Sequence, residues 1–158
     1  MTNQANAPEF ANEDFAARLN AALDGWNSSM GVQFVRATAE EVVAQVQIGV
    51  SHRQAYGIVH GGLYSGLIET VASVGAALFA MKRGQSVVGL ENHTSFLHAV
   101  REGLLRATAI PLMRGRRTQV WQATIADSEG QAVATGRVRL LSLDPDSSIA
   151  GEIVAVKR

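Results

Sequence analysis

The chain has 158 residues, with 14 Lys+Arg balancing 14 Asp+Glu and no cysteine. That length fits one domain able to bury roughly 70% of its unfolded surface, and the zero net charge argues against nucleic acid as a main partner, since phosphate binding needs a basic surplus. The lack of cysteine excludes a disulfide framework, a thiol nucleophile and a thiolate metal site.

Residues 1–11 are polar, without periodicity, and read as a disordered N-terminus; MTNQANAPEFANEDF also lacks the basic start and apolar run of a signal peptide. From Glu13 the pattern changes. Phe15, Leu19, Leu23 and Trp26 fall at helical spacing behind Asn12 as a candidate N-cap, and this helix should stop near Asn27–Ser29. MGVQFVRATAEEVVAQVQIGV then reads as two strands with a turn near Ala39–Glu41, and Val43 to Ile48 alternate with the period of a half-buried strand.

Residues 51–60 form a loop, and a long helix is expected from Gly61 to Arg83. Gly84 ends it in the C′ position, with Lys82 and Arg83 suited to the negative end of its dipole. Four more strand-like runs follow at 86–98, 103–113, 117–127 and 131–143, with a hairpin loop at Asp127-Ser-Glu-Gly130 and a second turn at Arg114-Gly-Arg116. The folded domain should span 12–144, leaving 145–158 as a tail that forms a loop and a docked segment or strand. The longest apolar stretch, Val71 to Met81, falls short of the roughly 18 residues needed to cross a bilayer. A soluble, cytoplasmic protein with no membrane partner is expected.

One long apolar helix among six β-runs needs burial on most sides, and a strongly curved antiparallel sheet wrapped around it provides that. The helix composition agrees. Small residues (Gly62, Ser65, Gly66, Ala72, Ser73, Gly75, Ala76) allow close approach, and Leu63, Leu67, Ile68, Val71, Val74 and Leu78 supply bulk.

Chemistry concentrates in QAYGIVHGGLYSGLIETVAS, residues 54–73. Glu69 is the single charge on the helix until Lys82, and a lone carboxylate on an apolar, small-residue face is costly unless it has a task. The turn His60-Gly61-Gly62 frees backbone N–H groups at the helix N-terminus to face a developing negative charge. Oxyanion donors together with a sheltered carboxylate suggest acyl transfer or hydrolysis. Ser73, at i+4 from Glu69, either bonds it or simply permits close packing. His60 either orients the loop or contacts substrate, and Gln54 is either an amide donor to a carbonyl or a surface glutamine.

Gly61 and Glu69 stand eight residues apart, roughly 12 Å along a helix. One carbonyl carbon does not sit within reach of both on the same helix, so the spacing suggests two antiparallel helices from two subunits.

The ordered set Gln54, His60-Gly61-Gly62, Glu69 and Ser73 resembles the active-site pattern of hotdog-fold acyl-CoA thioesterases, closest to 4-hydroxybenzoyl-CoA thioesterases with the carboxylate on the central helix. Asn92-His-Thr-Ser-Phe96 and Val100-Arg-Glu-Gly103 look like the same subgroup, while Val88-Gly-Leu-Glu91 and Thr118-Gln-Val-Trp-Gln122 look more like the related 1,4-dihydroxy-2-naphthoyl-CoA thioesterases. The likeness runs from about Gly31 to Leu143. It implies an α+β hotdog fold and hydrolysis of an aromatic acyl-CoA, 4-hydroxybenzoyl-CoA first, to free acid and CoA. It implies Glu69 as nucleophile or general base, the Gly61 N–H as oxyanion donor, and Gln54, His60 and Ser73 in support. It also implies a homodimer with interfacial sites, often paired into a tetramer, and no cofactor.

A CoA substrate brings phosphates, for which Arg101, Arg114, Arg116 and Arg117, with Thr118 as hydroxyl donor, are the candidates. No metal site is expected, because His52, His60, His93 and His98 lack the spacing of a zinc site. No Gly-x-Ser-x-Gly elbow is present either. Three alternatives stay open: a 1,4-dihydroxy-2-naphthoyl-CoA or broad-range acyl-CoA thioesterase, a hotdog dehydratase or hydratase of acyl thioesters, and a non-catalytic acyl-CoA-binding module.

Overall fold

The computed structural model describes residues 13–23 and 25–154. Two short helices, α1 (Ala16–Ala21) and α2 (Gly25–Ser29), precede strands β1 (Gln33–Ala37) and β2 (Val42–Ile48). The long helix α3 (Gly61–Ala80) comes next, followed by β3 (Ser86–Phe96), β4 (Gly103–Arg114), β5 (Thr118–Ala126) and β6 (Ala132–Leu143). A small hairpin, β7 (Ser148–Ile149) with β8 (Glu152–Ile153), closes the described chain.

The six long strands form one sheet in the order β1-β2-β4-β5-β6-β3, every pair antiparallel. Helix α3 packs against β2 to β6 on one face of this sheet. This is the hotdog arrangement that the sequence led us to expect.

Period-2 alternation explains how the sheet covers the helix. Val42, Ala44, Val46 and Ile48 on β2, Leu105, Ala107 and Ala109 on β4, and Trp121, Ala123 and Ile125 on β5 are all buried. From the helix, Leu63, Leu67, Ile68, Val71, Ala72 and Ala76 meet them. Each large aliphatic side chain removed from water in this way contributes about 1.5–3 kcal/mol. At Gly75 the helix comes so close to the sheet that an added Cβ would overlap the Trp121 ring.

Several boundaries differ from the sequence expectation. The N-terminal segment is two helices rather than one, separated by a break ahead of Gly25, which takes a left-handed φ of 55°. The first of them has Phe15 at its N-cap position, with no side-chain cap. Asp14 Oδ1 instead accepts from the Ala16 and Ala37 N–H groups and ties the helix to β1. Asn12, the expected cap, and the expected disordered segment 1–11 lie outside the described residues. Helix α3 stops at Ala80 and tightens into a 3₁₀ turn over Met81–Arg83. Gly84 then takes φ 67°, the left-handed C-terminal conformation read from the sequence. The 23-residue stretch Gly61–Arg83 is long and apolar enough by composition to cross a membrane, which the shorter run Val71–Met81 did not indicate. In this fold it is the core helix. The tail docks through Ser86 Oγ, which donates to the Val154 carbonyl at 2.9 Å.

Strand β3 stands apart. It lies at the end of the sheet, paired on one side to β6, and its central residues Gly89 to His93 are exposed. A bulge between Gly89 and Glu91 shifts its register against β6.

Candidate active site

The start of α3 is organised by His60. Its backbone is extended (φ −69°, ψ 133°) and its Nδ1 accepts from the Gly62 N–H at 2.8 Å. Since Nδ1 accepts, the ring proton sits on Nε2. The His60 carbonyl takes the Leu63 N–H at 2.9 Å. Two of the helix's first amides are thus satisfied, while the Gly61 N–H, as the first helical residue, has no intrahelical acceptor to point at. His60 thus caps the start of α3 with its own side chain.

Gln54 and Gly61 line one pocket of about 250 Å³ together with Ile58, Tyr64, Phe96 and His98. A tight turn, in which Gln54 N donates to the Ile58 carbonyl and Arg53 bridges Val59, brings the Gln54 loop back to the helix start. The Phe96 ring lies against Gly61, where an added Cβ would come within 2.6 Å of it, and its centroid is 5.8 Å from that of Tyr64. Phe96 remains 58% exposed, whereas Tyr64 is 3% exposed and its hydroxyl has no hydrogen-bond partner. Burial pushes the Tyr64 phenol above its ordinary value of 10.0, so it stays neutral throughout the physiological range.

Glu69 lies two turns further along α3 and is not among the residues lining that pocket. It is half-buried between the helix and β3. Ser73 Oγ donates to Oε1 at 3.2 Å and Asn92 Nδ2 donates to Oε2 at 2.9 Å. Asn92 Nδ2 also donates to the Ser65 carbonyl at 3.1 Å, and Thr94 Oγ1 donates to Asn92 Oδ1 at 2.7 Å. Across from the carboxylate is Gly89, where a Cβ would fall on Oε1. The Ser73 bond anticipated from the i+4 spacing is present. Asn92, Thr94 and Gly89 were quoted in the sequence only as parts of longer motifs. What could have singled them out is the alternation of β3, which puts Asn92 and Thr94 on one face. Tyr64, Phe96 and His98 as pocket walls were missed, because a pocket between a helix and a strand end has no signature along the chain.

The arginines separate into three situations. Arg114 donates to the Ala39 carbonyl at 2.9 Å, pairs with Glu40 at 2.7 Å and stacks over the Phe79 ring, so it is committed to the fold rather than free for phosphate. Arg101 is exposed and donates to the Tyr56 carbonyl at 3.1 Å, next to the Gln54 loop. Arg116 and Arg117 are exposed beside a second pocket of about 270 Å³, lined also by Gln85, Ser142 and Asp144, near the other end of α3. Thr118, half-buried, uses its carbonyl to accept from the Gly115 N–H. Among the described residues, no three His, Asp or Glu side chains group closely enough to hold a metal ion.

Residues 56–134, which include Gly61, Glu69, Asn92 and both strands flanking the Arg116–Arg117 turn, match the family model described as the thioesterase superfamily. The chain belongs to this superfamily. The Rv1847 protein of Mycobacterium tuberculosis is 38% identical over 133 residues, covering 83% of this chain and 94% of its own. Its solved structure superposes with a TM-score of 0.74 at 39% identity, over 75% of this chain and 96% of that one. The proofreading thioesterase EntH of Cronobacter turicensis is 32% identical over 109 residues, 69% of this chain and 79% of its own. A solved thioesterase of Haemophilus influenzae, HI1161, has a TM-score of 0.79 at 28% identity, over 85% of this chain and 95% of that one. As a member of the thioesterase superfamily the chain has relatives named for hydrolysis, and its carboxylate and helix-start amides are groups such hydrolysis can use.

Proposed function

We propose that the protein is an acyl-CoA thioesterase acting on an aromatic acyl group, with 4-hydroxybenzoyl-CoA the first candidate and 1,4-dihydroxy-2-naphthoyl-CoA the second. The observation that carries this reading is the Glu69 carboxylate, held between Ser73 and Asn92 at the open edge of the sheet. The pocket at the helix start suits a flat ring, since Tyr64 and Phe96 present aromatic surface beside Gln54 and Gly61.

On this reading the thioester carbonyl oxygen accepts from the Gly61 N–H and the Gln54 side-chain amide. Negative charge that develops there is stabilised by those donors and by the positive end of the helix dipole. Glu69 acts as general base or nucleophile. As base it takes a proton from water while the water oxygen bonds to the carbonyl carbon. The tetrahedral oxyanion then collapses, the C–S bond breaks, and CoA leaves as the thiol with that proton.

Gly61 and Glu69 are fixed on one helix, roughly 12 Å apart, and Glu69 lies outside the Gln54–Gly61 pocket. The reading therefore includes a homodimer in which Glu69 of one copy meets Gly61 and Gln54 of the other. Strand β3 offers an edge of eleven residues beside Glu69 for the second copy. The same assembly bears on the phosphates. Arg101 and the Arg116–Arg117 turn lie toward opposite ends of a helix roughly 30 Å long, so one CoA draws on Arg101 of one copy and Arg116, Arg117 and Thr118 of the other. A dimer of dimers is the expected assembly in solution. Hydration of an acyl thioester fits less well, because the spacing of His60 and Glu69 follows the thioesterase pattern.

The test is thiol release from 4-hydroxybenzoyl-CoA, 1,4-dihydroxy-2-naphthoyl-CoA and hexanoyl-CoA, with crotonyl-CoA hydration measured alongside, by wild type and a folded Glu69→Gln protein. Aromatic turnover that the variant loses supports the reading. Turnover indifferent to Glu69, or no thioester cleaved at all, overturns it.

A further inference from the structure

Glu69 reaches its position through several rotatable bonds, and its one partner on the same helix does not fix it relative to the sheet. Ser73 sits one turn along α3, and its bond of 3.2 Å travels with the helix. The tie to another element is Asn92. Resting on the reading of Glu69 as the reacting carboxylate, we infer that Asn92, braced by Thr94, is the positioning residue that aims Glu69 at the acyl carbon.

The Asn92 amide, though exposed, is engaged at both of its polar atoms. Its nitrogen donates at 2.9 Å to Glu69 Oε2 and at 3.1 Å to the Ser65 carbonyl, and its oxygen accepts from Thr94 Oγ1 at 2.7 Å. A backbone carbonyl and an ionised carboxylate only accept, so the nitrogen must face the helix and the amide has one workable orientation. Both donors of the side chain and its acceptor are in use. Ser65 O anchors the amide to the helix one turn before Glu69, and Thr94, two residues along β3 on the same face, holds it from the strand.

Two features of β3 make room for this. The bulge between Gly89 and Glu91 re-aims the strand just ahead of Asn92. Gly89 leaves empty the volume that Oε1 occupies, where any Cβ would collide with it. Oε1 thus has the Ser73 hydroxyl and the space beside Gly89, and Oε2 has the Asn92 amide. The polar atoms of the Asn92 side chain are engaged with the protein itself. Its loss should act on the chemical step rather than on binding, since a carboxylate misplaced by about 1 Å costs on the order of 10² in rate.

The experiment compares Asn92→Ala, Asn92→Asp, Thr94→Val and Thr94→Ser with wild type. It measures kcat and KM on the best aromatic acyl-CoA, and sedimentation confirms an unchanged assembly. Asn92→Ala should lower kcat roughly 10–100-fold with KM within about twofold. Asn92→Asp keeps the shape but sets a second carboxylate against Glu69 and the Ser65 carbonyl, so it should be worse than alanine; a packing role predicts the reverse order. Thr94→Val should lose several-fold in kcat and Thr94→Ser should recover it.

A second readout needs no turnover. In protein labelled with ¹³C at the glutamate side-chain carboxyl carbons, the Glu69 resonance, identified by its loss in Glu69→Gln, should move in Asn92→Ala and move less in Thr94→Val. Wild-type kcat in Asn92→Ala, aspartate outperforming alanine, or an unmoved Glu69 resonance would each overturn the inference. If instead Glu69→Gln hydrolyses normally, the proposed function fails, and the resonance still decides whether Asn92 holds the carboxylate.

Discussion

Two polar networks sit against the same helix, and they are built in opposite ways. Around Ala76, Gln119 Nε2 donates to the Ala76 carbonyl at 3.1 Å and Gln119 Oε1 accepts from Trp121 Nε1 at 3.0 Å. Ser142 Oγ lies 3.5 Å from the same amide. Gln119 and Trp121 are both 0% exposed, and the polar atoms of this group find their partners within it. Around Glu69 the bonds are as short, yet Asn92 is exposed, Thr94 and Glu69 are half-buried, and the carboxylate lies against the edge strand β3. A network completed inside the core fixes how helix and sheet meet. One left open at the edge keeps acceptor capacity for something the chain does not itself supply.

Substitutions that separate activity from stability sharpen this contrast. The largest effect is expected from Glu69→Gln, which keeps the shape and removes the charge: thiol release should fall by roughly 10²–10⁴-fold, with a melting temperature close to wild type. Gly89→Ala should come next, losing on the order of 10² in kcat as the new methyl displaces the carboxylate, again with little change in unfolding. In the closed network the order reverses. Gln119→Leu leaves the Trp121 indole N–H unpaired in the core and strips the Ala76 carbonyl of its second donor, the helical N–H remaining, and denaturant unfolding should show a loss of about 1–3 kcal/mol, while kcat of the remaining folded protein is unchanged. Ser73→Ala should be mildest, a several-fold drop in kcat, because its bond is the longer one on the carboxylate. Equal stability losses for Glu69→Gln and Gln119→Leu would break the comparison.

Much of this was legible in the residues because it depends on local rules. The hydrophobic alternation of β2 and the closing Gly84 of α3 needed only the period of a strand and the left-handed glycine at a helix end. The i+4 relation of Ser73 to Glu69 followed from helix geometry and is present as a hydrogen bond. The break between α1 and α2 was not legible, since the apolar spacing of Phe15, Leu19, Leu23 and Trp26 runs on across it. Arg114 was read as a phosphate candidate from its neighbours in sequence, but its partners Glu40 and Phe79 come from distant elements. Asn92 is the sharpest case. Its meeting with Glu69 depends on β3 lying at the sheet edge beside α3, a long-range pairing that no short window encodes.

The strand order has a consequence in time. Strand β3 follows α3 in the chain, yet its neighbour in the sheet is β6, with Ser86 opposite Leu143 and Phe96 opposite Ala134. During synthesis the helix bearing Glu69 and the strand bearing Asn92 emerge early and must wait until residues 132–143 have been made before β3 can be stitched in. Pairings of such long sequence separation are slow to form. The carboxylate cluster is therefore among the last parts of the nascent protein to take shape, and a chain halted before β6 would hold every residue of that cluster without the framework that arranges them.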